Sequence, residues 1–204
     1  MRILSFIVVV CLLAGVSIAS AQGTVQGGIL GGPGWSTVTV KTTGEFPDFS
    51  TRTGMMVGAF IVTPSRHGIG LEPEALVTVK GAKAAQDGIE SSIRLTSLEF
   101  PVLLRFASSA PRTTAWHGLF GPTFGFPLSA RRLTEVSGST QDEDLSDQTE
   151  GFELGLTAGA GVDIGRVRID GRYTWGLTHL NNDTTGDTSF KSRMFTVAAG
   201  VRLW

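Results

Sequence analysis

The sequence predicts an all-β fold, an eight-stranded antiparallel up-and-down transmembrane β-barrel, and three observations carry that prediction. From Gly151 to Trp204 the chain alternates apolar with small or polar side chains almost without a break. An N-terminal secretion signal precedes the alternating region, and the connections between alternating segments are short and long in turn. A two-residue period marks strands with two unlike faces. Short turns on one rim and long loops on the other are the habit of bacterial outer-membrane barrels.

The signal is read first because it fixes the compartment. Met1-Arg2 is a short basic start, Ile3 to Val16 is a nearly continuous apolar run, and Ala19-Ser20-Ala21 offers the small residues that a signal peptidase requires. Cleavage is expected after Ala21, so that residues 1–21 are the signal peptide and residues 22–204 form one outer-membrane barrel domain. The apolar run is shorter than the ~20 residues of a membrane-spanning helix. Cys11 lies inside the signal, so the exported chain carries no cysteine and must be held by its hydrogen-bonded architecture rather than by disulfides. Without Arg2 the 17 basic residues fall to 16, against 18 acidic ones. That small negative balance, with no Lys/Arg cluster, excludes a nucleic-acid footprint.

Eight strands are expected near residues 23–37, 52–63, 68–82, 90–107, 115–128, 151–164, 166–178 and 192–204. The first carries the least regular pattern, because Gly27-Gly28 and Gly31-Gly32-Pro33-Gly34 interrupt it. The links Thr63 to Gly68, Ala107 to Thr114 and Gly165-Arg166 are short, while Val38 to Thr51, Ser129 to Glu150 and Thr178 to Lys191 are long. Ala82 to Ile89 is intermediate. Short turns on the periplasmic side put the long loops outside the cell.

Alternation alone does not say which face is inside. The polar faces are rich in Gly and Thr, as a narrow barrel interior requires, where a solvated outer face would carry more Lys and Glu. The apolar faces place Phe124, Phe126, Phe152, Tyr173 and Trp175 toward the long-loop rim and Phe106, Trp116 and Trp204 toward the other, which predicts two interfacial girdles. In the last strand Phe195, Val197, Ala199, Val201 and Leu203 share one face, with Trp204 out of phase with them.

Several phrases resemble the outer-membrane β-barrel family labelled PorT-like, small barrels of Bacteroidetes and related bacteria. They are Leu71-Glu72-Pro73-Glu74-Ala75 running to Lys80-Gly81-Ala82-Lys83, Leu98-Glu99-Phe100-Pro101-Val102-Leu103-Leu104, Gly159-Ala160-Gly161-Val162, Arg172-Tyr173 and Gly176-Leu177-Thr178. The resemblance implies an outer-membrane barrel of about eight strands and no family-wide catalytic residue.

With apolar faces outward, the lumen collects Glu72, Glu74, Lys80, Glu99, Arg105, Glu153, Asp163, Arg168, Asp170, Arg172 and Arg202, whose signs nearly cancel. The side chains of an eight-stranded barrel fill its interior, so a structural charge network is expected in preference to an ion path. In particular, Arg168 and Arg172 are expected to pair with the neighbouring strand's Glu153 and Asp163. The stretch Gln141-Asp142-Glu143-Asp144-Leu145-Ser146-Asp147-Gln148-Thr149-Glu150 concentrates oxygen ligands on the outer rim but lacks the spacing of a dedicated calcium loop, and it is read as a solvated acidic loop. His67, His117 and His179 are the only histidines, and none stands in a nucleophile motif.

The expected function is that of a non-enzymatic scaffold presenting extracellular loops for adhesion, recognition or envelope integrity. A small pore, or an accessory component of an outer-membrane transport or secretion system, is the alternative. A lipid-acting enzyme built at the rim from His179 with Ser189 or Asp187 ranks last. No catalytic, cofactor-binding or metal-binding residue is assigned. The expected partners are outer-membrane lipid and, during insertion, the barrel-assembly machinery, with the folded protein a monomer.

Overall fold

The computed structural model describes residues 24–41, 49–64, 67–86, 89–108, 114–136, 139–144, 151–178 and 189–204. The signal segment lies outside the described residues. Nine strands follow in order: β1 (Gln26–Lys41), β2 (Phe49–Val62), β3 (Ile69–Gln86), β4 (Ile89–Ala107), β5 (Thr114–Val136), β6 (Ser139–Asp144), β7 (Glu153–Ile164), β8 (Val167–Gly176) and β9 (Ser189–Arg202). Eight of them close a ring. β1 to β5 pair in succession, β5 pairs with β7, β7 with β8, β8 with β9 and β9 with β1, every pair antiparallel. Closure leaves the ring no free edge, which is how a sheet satisfies its backbone groups in lipid.

Strand parity sorts the side chains as the alternation requires. Outward go Ile29, Val57, Ile61, Leu71, Val102, Leu104, Phe120, Ile169, Val197 and Val201, all exposed. An exposed apolar surface of this extent on a closed barrel is a lipid-facing band. Its upper edge carries ring contacts between Trp35 and Phe195 (6.0 Å), Phe126 and Phe152 (5.6 Å), and Tyr173 and Trp175 (4.5 Å). Phe106, Trp116 and Trp204 edge the other rim, Trp116 being 67% exposed. On β5 the span from Trp116 to Phe126 is about 33 Å along the strand and about 25 Å along the axis at a tilt of ~40°.

The ring has the expected eight strands, and the limits of β4, β7 and β8 fall within two residues of the expected ones, while other strands run further. β1 runs on to Lys41 and β2 begins at Phe49, leaving residues 42–48 of the expected long loop outside the described residues. The intermediate link after the third strand is a tall hairpin, since β3 reaches Gln86 and β4 starts at Ile89. The largest correction concerns Ser129 to Glu150, expected as a loop. β5 continues through it to Val136 and β6 returns antiparallel, with Arg131 opposite Asp144 and Val136 opposite Ser139. Gln141, Asp142, Glu143 and Asp144 are therefore strand residues, while residues 145–150 lie outside the described set. Together, the upper parts of β3, β4 and β5 with β6 make a wall of sheet rising above the girdle. Register shifts occur as the sheet leaves the band, between Thr51 and Met55 on β2 and beside Thr96 and Ser97 on β4. Bulges bend a strand and sharpen its twist.

The glycine-rich first strand is regular after all. Pro33 stands opposite Met55 of β2, and the β9 ladder is interrupted at Gly32 and Pro33 with its register unchanged, in keeping with a proline that offers no N–H. At the opposite rim Gly165, with φ of 59°, takes the first central position of the two-residue β7–β8 turn, the place where a II′ hairpin needs glycine.

Candidate functional site

The lumen is the candidate site. Glu72, Glu74, Glu99, Arg105, Glu153, Asp163, Arg168, Asp170 and Arg172 all project into it and all are buried, as is Lys80. Arg202 departs from the expectation. It sits at the short-turn rim, giving one N–H to Gln26 Oε1 at 2.7 Å and another to the carbonyl of Gly165.

Two clusters form, one above the other. In the lower, Arg168 Nη1 donates to Glu72 Oε1 at 2.8 Å, and its Nε lies 3.2 Å from Asp170. Arg105 joins Glu72, at 2.8 Å, to Asp163. Arg172 holds Glu74 at 2.6 Å and Asp170 at 2.7 Å. In the upper cluster Lys80 bridges Glu99 (2.8 Å) and Glu153 (2.7 Å), Thr78 donates to Glu99, and Ser192 donates to Glu153. Between the clusters a hydroxyl ladder crosses from Thr123 through Thr157 to Thr174.

The expected pairing of β8 with its strand neighbour needs correction. Asp163 stands directly opposite Arg168 in the ladder, yet it pairs with Arg105, and Glu153 pairs with Lys80. The two β8 arginines reach across the lumen to Glu72 and Glu74 of β3. β3 and β8 are four strands apart in either direction around the ring, so these two ion pairs span its diameter. Arginine has the length and the forked, fixed donors for such a reach, whereas a shorter aspartate stays beside its own wall.

His117 is a lumen residue that sequence reasoning left among the bland histidines. Its Nε2 is 3.2 Å from Arg168 Nη2 and its Nδ1 is 3.4 Å from Asp163. Guanidinium offers only donors, so Nε2 accepts and the ring proton sits on Nδ1, facing Asp163. The missed signal was parity, since residues 117, 119, 121 and 123 share the inward face of β5.

The interior is not uniformly polar either. Leu30, Met56, Phe60, Leu76 and Ala198 pack into one cluster on the side of β1, β2, β3 and β9, where a polar inner face rich in Gly and Thr was expected. Arg168 lies at the boundary, its guanidinium 4.5 Å from the centroid of Phe60. Among the described residues, no group of three His, Cys, Asp or Glu side chains is arranged to hold a metal ion. Of the rim candidates, His179 and Asp187 lie outside the described residues and Ser189 begins β9. The network's chemistry is electrostatic cross-bracing. Each carboxylate in it is engaged by a cation, and the pairs that cross the bore occupy it.

A closed eight-stranded ring with an apolar band, aromatic edges and a charged, filled bore is a membrane-barrel design. Residues 20–182 match the family described as outer membrane protein beta-barrel domain. The chain belongs to this family. As an outer-membrane barrel it is similar in fold to several solved structures. The Ail attachment invasion locus protein of Yersinia pestis, in complex with the heparin analogue sucrose octasulfate, is 17% identical with a TM-score of 0.45, over 89% of this chain and 100% of that one. Neisserial surface protein A is 10% identical with a TM-score of 0.48, over 88% and 99% of the two chains. OprG from Pseudomonas aeruginosa is 11% identical with a TM-score of 0.47, over 90% and 99%. No curated protein matches the sequence.

Proposed function

We propose that this outer-membrane protein is a sealed, non-enzymatic scaffold that holds a raised wall of β-sheet outside the cell for adhesion, recognition or envelope integrity. One observation carries the proposal: Glu72–Arg168 and Glu74–Arg172 brace the bore across its full diameter. A transport channel needs a continuous wet path, and a narrow barrel filled by paired side chains offers none. The long-strand wall supports the scaffold half of the reading, because eight strands need extend only ~9 to 11 residues to cross the membrane, whereas β3, β4 and β5 run 18, 19 and 23 residues. The PorT-like phrases in β3, β4 and the closing hairpin support a place among that group of small barrels. In this reading the signal is removed after Ala21, the assembly machinery inserts the chain, and the folded barrel is a monomer in outer-membrane lipid.

Purified protein reconstituted in planar bilayers tests the seal. The expected record is a flat baseline with at most brief openings. A large, steady conductance in the wild-type protein overturns the scaffold and promotes the small-pore reading.

A further inference from the structure

The periplasmic rim holds a second polar constellation, separate from the lumen network. A cavity of about 360 Å³ opens where the start of β1, the β7–β8 turn and the end of β9 meet, lined by Thr24, Gln26, Gly165, Arg166, Arg202 and Trp204. Its lining residues carry two guanidinium groups, an indole, an amide and a hydroxyl on their side chains. Arg202 is anchored by Gln26 Oε1 and by the Gly165 carbonyl, and its backbone N–H donates to the Arg166 carbonyl at 2.8 Å. Trp204 is equally fixed. Its carbonyl accepts from Gly27 N at 3.2 Å, and its indole lies over Gly27, in the space a larger side chain there would take. Beside the cavity the outer face continues as Ile164, Val167, Val201 and Leu203, all exposed to the lipid band.

We infer that this cavity binds the anionic phosphodiester headgroup of an inner-leaflet phospholipid, with the acyl chains lying along the neighbouring apolar face. Paired guanidinium groups match phosphate oxygens through charge-assisted hydrogen bonds. A tryptophan at the edge of the apolar band sits where a headgroup meets its chains. The short-turn rim faces the periplasm, so the leaflet it meets is the inner one. The proposal does not depend on what the extracellular wall binds.

The test titrates the folded full-length barrel, in detergent micelles, with phosphatidylglycerol and counts bound lipid by native mass spectrometry. Wild type is expected to retain one lipid through delipidation and to retain phosphatidylcholine less. Arg166→Gln, at an exposed turn position, is expected to weaken retention about tenfold, the effect of losing one charge-assisted contact. Arg202→Lys keeps the charge and loses the fork, and is also expected to weaken it. Arg193→Gln, which removes an exposed arginine near the other rim, leaves retention unchanged. A shift in gel mobility on boiling certifies that each variant is folded. Equal retention in wild type and both pocket variants, equal retention of phosphatidylcholine, or a matching loss in Arg193→Gln overturns the site. Full displacement by millimolar inorganic phosphate reassigns it to the free anion and overturns the lipid reading.

Discussion

At the scale of single residues, Arg168 does the most. It touches Glu72, Asp170, His117 and the ring of Phe60, so it ties three strands of the charged side to the apolar cluster. Removing one member of a buried ion pair leaves its partner charged and desolvated, typically at about 3 to 5 kcal/mol, whereas replacing both with apolar groups of similar volume is often neutral. Arg168→Met is therefore expected to lower the urea unfolding midpoint in micelles sharply, and Arg168→Met with Glu72→Leu to recover part of the loss, since Arg105 then gives up Glu72 and keeps Asp163. Identical midpoints for single and double variants would show that the pair is not coupled. Asp170→Ala, which strips a shared partner from Arg168 and Arg172, is expected to destabilise by a similar amount, and clearly more than Asp144→Ala in the outlying β6. Phe60→Ala removes the largest apolar side chain of the lumen and the face beneath Arg168. Its expected cost is about 3 to 5 kcal/mol, read from the same unfolding curves.

At the scale of elements, β6 stands outside the ring, pairing with upper β5 alone, while that part of β5 also pairs with β4. β7 pairs with β5 only from Thr114 to Gly125, below the segment that β6 covers. Replacing residues 127–151 with a short Gly-containing turn between Phe126 and Phe152, which continue the Gly125–Glu153 ladder, is thus expected to leave a barrel that still shifts mobility on boiling. Loss of that shift would make the hairpin part of the folding unit. This hairpin was also the least legible element in the sequence. Inside a bilayer one face of a strand must be apolar, so Val167, Ile169, Tyr173 and Trp175 announce β8 by their period. Above the bilayer neither face need be apolar, and Ser129 to Val136 and Ser139 to Asp144 form sheet without the alternation by which a strand is read. The site was legible to a similar depth. Parity places Glu72, Glu74, Glu99, Arg105, Glu153, Asp163, Arg168, Asp170 and Arg172 inward, but parity states a direction and not a reach. Partners across the bore were invisible to an argument that compared neighbouring strands. Phe60 was hidden because Met55 to Ile61 is apolar on both faces, which leaves no contrast to reveal the inward one.

At the scale of the whole molecule, the exposed apolar band requires lipid or detergent. The protein is expected to fractionate with the outer membrane and to run as a single-chain species whose mobility changes on boiling; recovery in the soluble periplasmic fraction would refute the barrel's placement. The diametral braces bear on assembly as well. Glu72 and Arg168 are 96 residues apart in the chain, and Glu74 and Arg172 are 98. Their geometry exists only when β1 has met β9, because an open, curling sheet holds β3 and β8 too far apart. Until that last seam zips, Glu74 has no cation in reach and Arg168 and Arg172 share only Asp170; afterwards they are matched in one step. The side chains that close the bore thereby report on the backbone that closes the ring, and a barrel stalled one strand short is penalised at its centre rather than only at its edge.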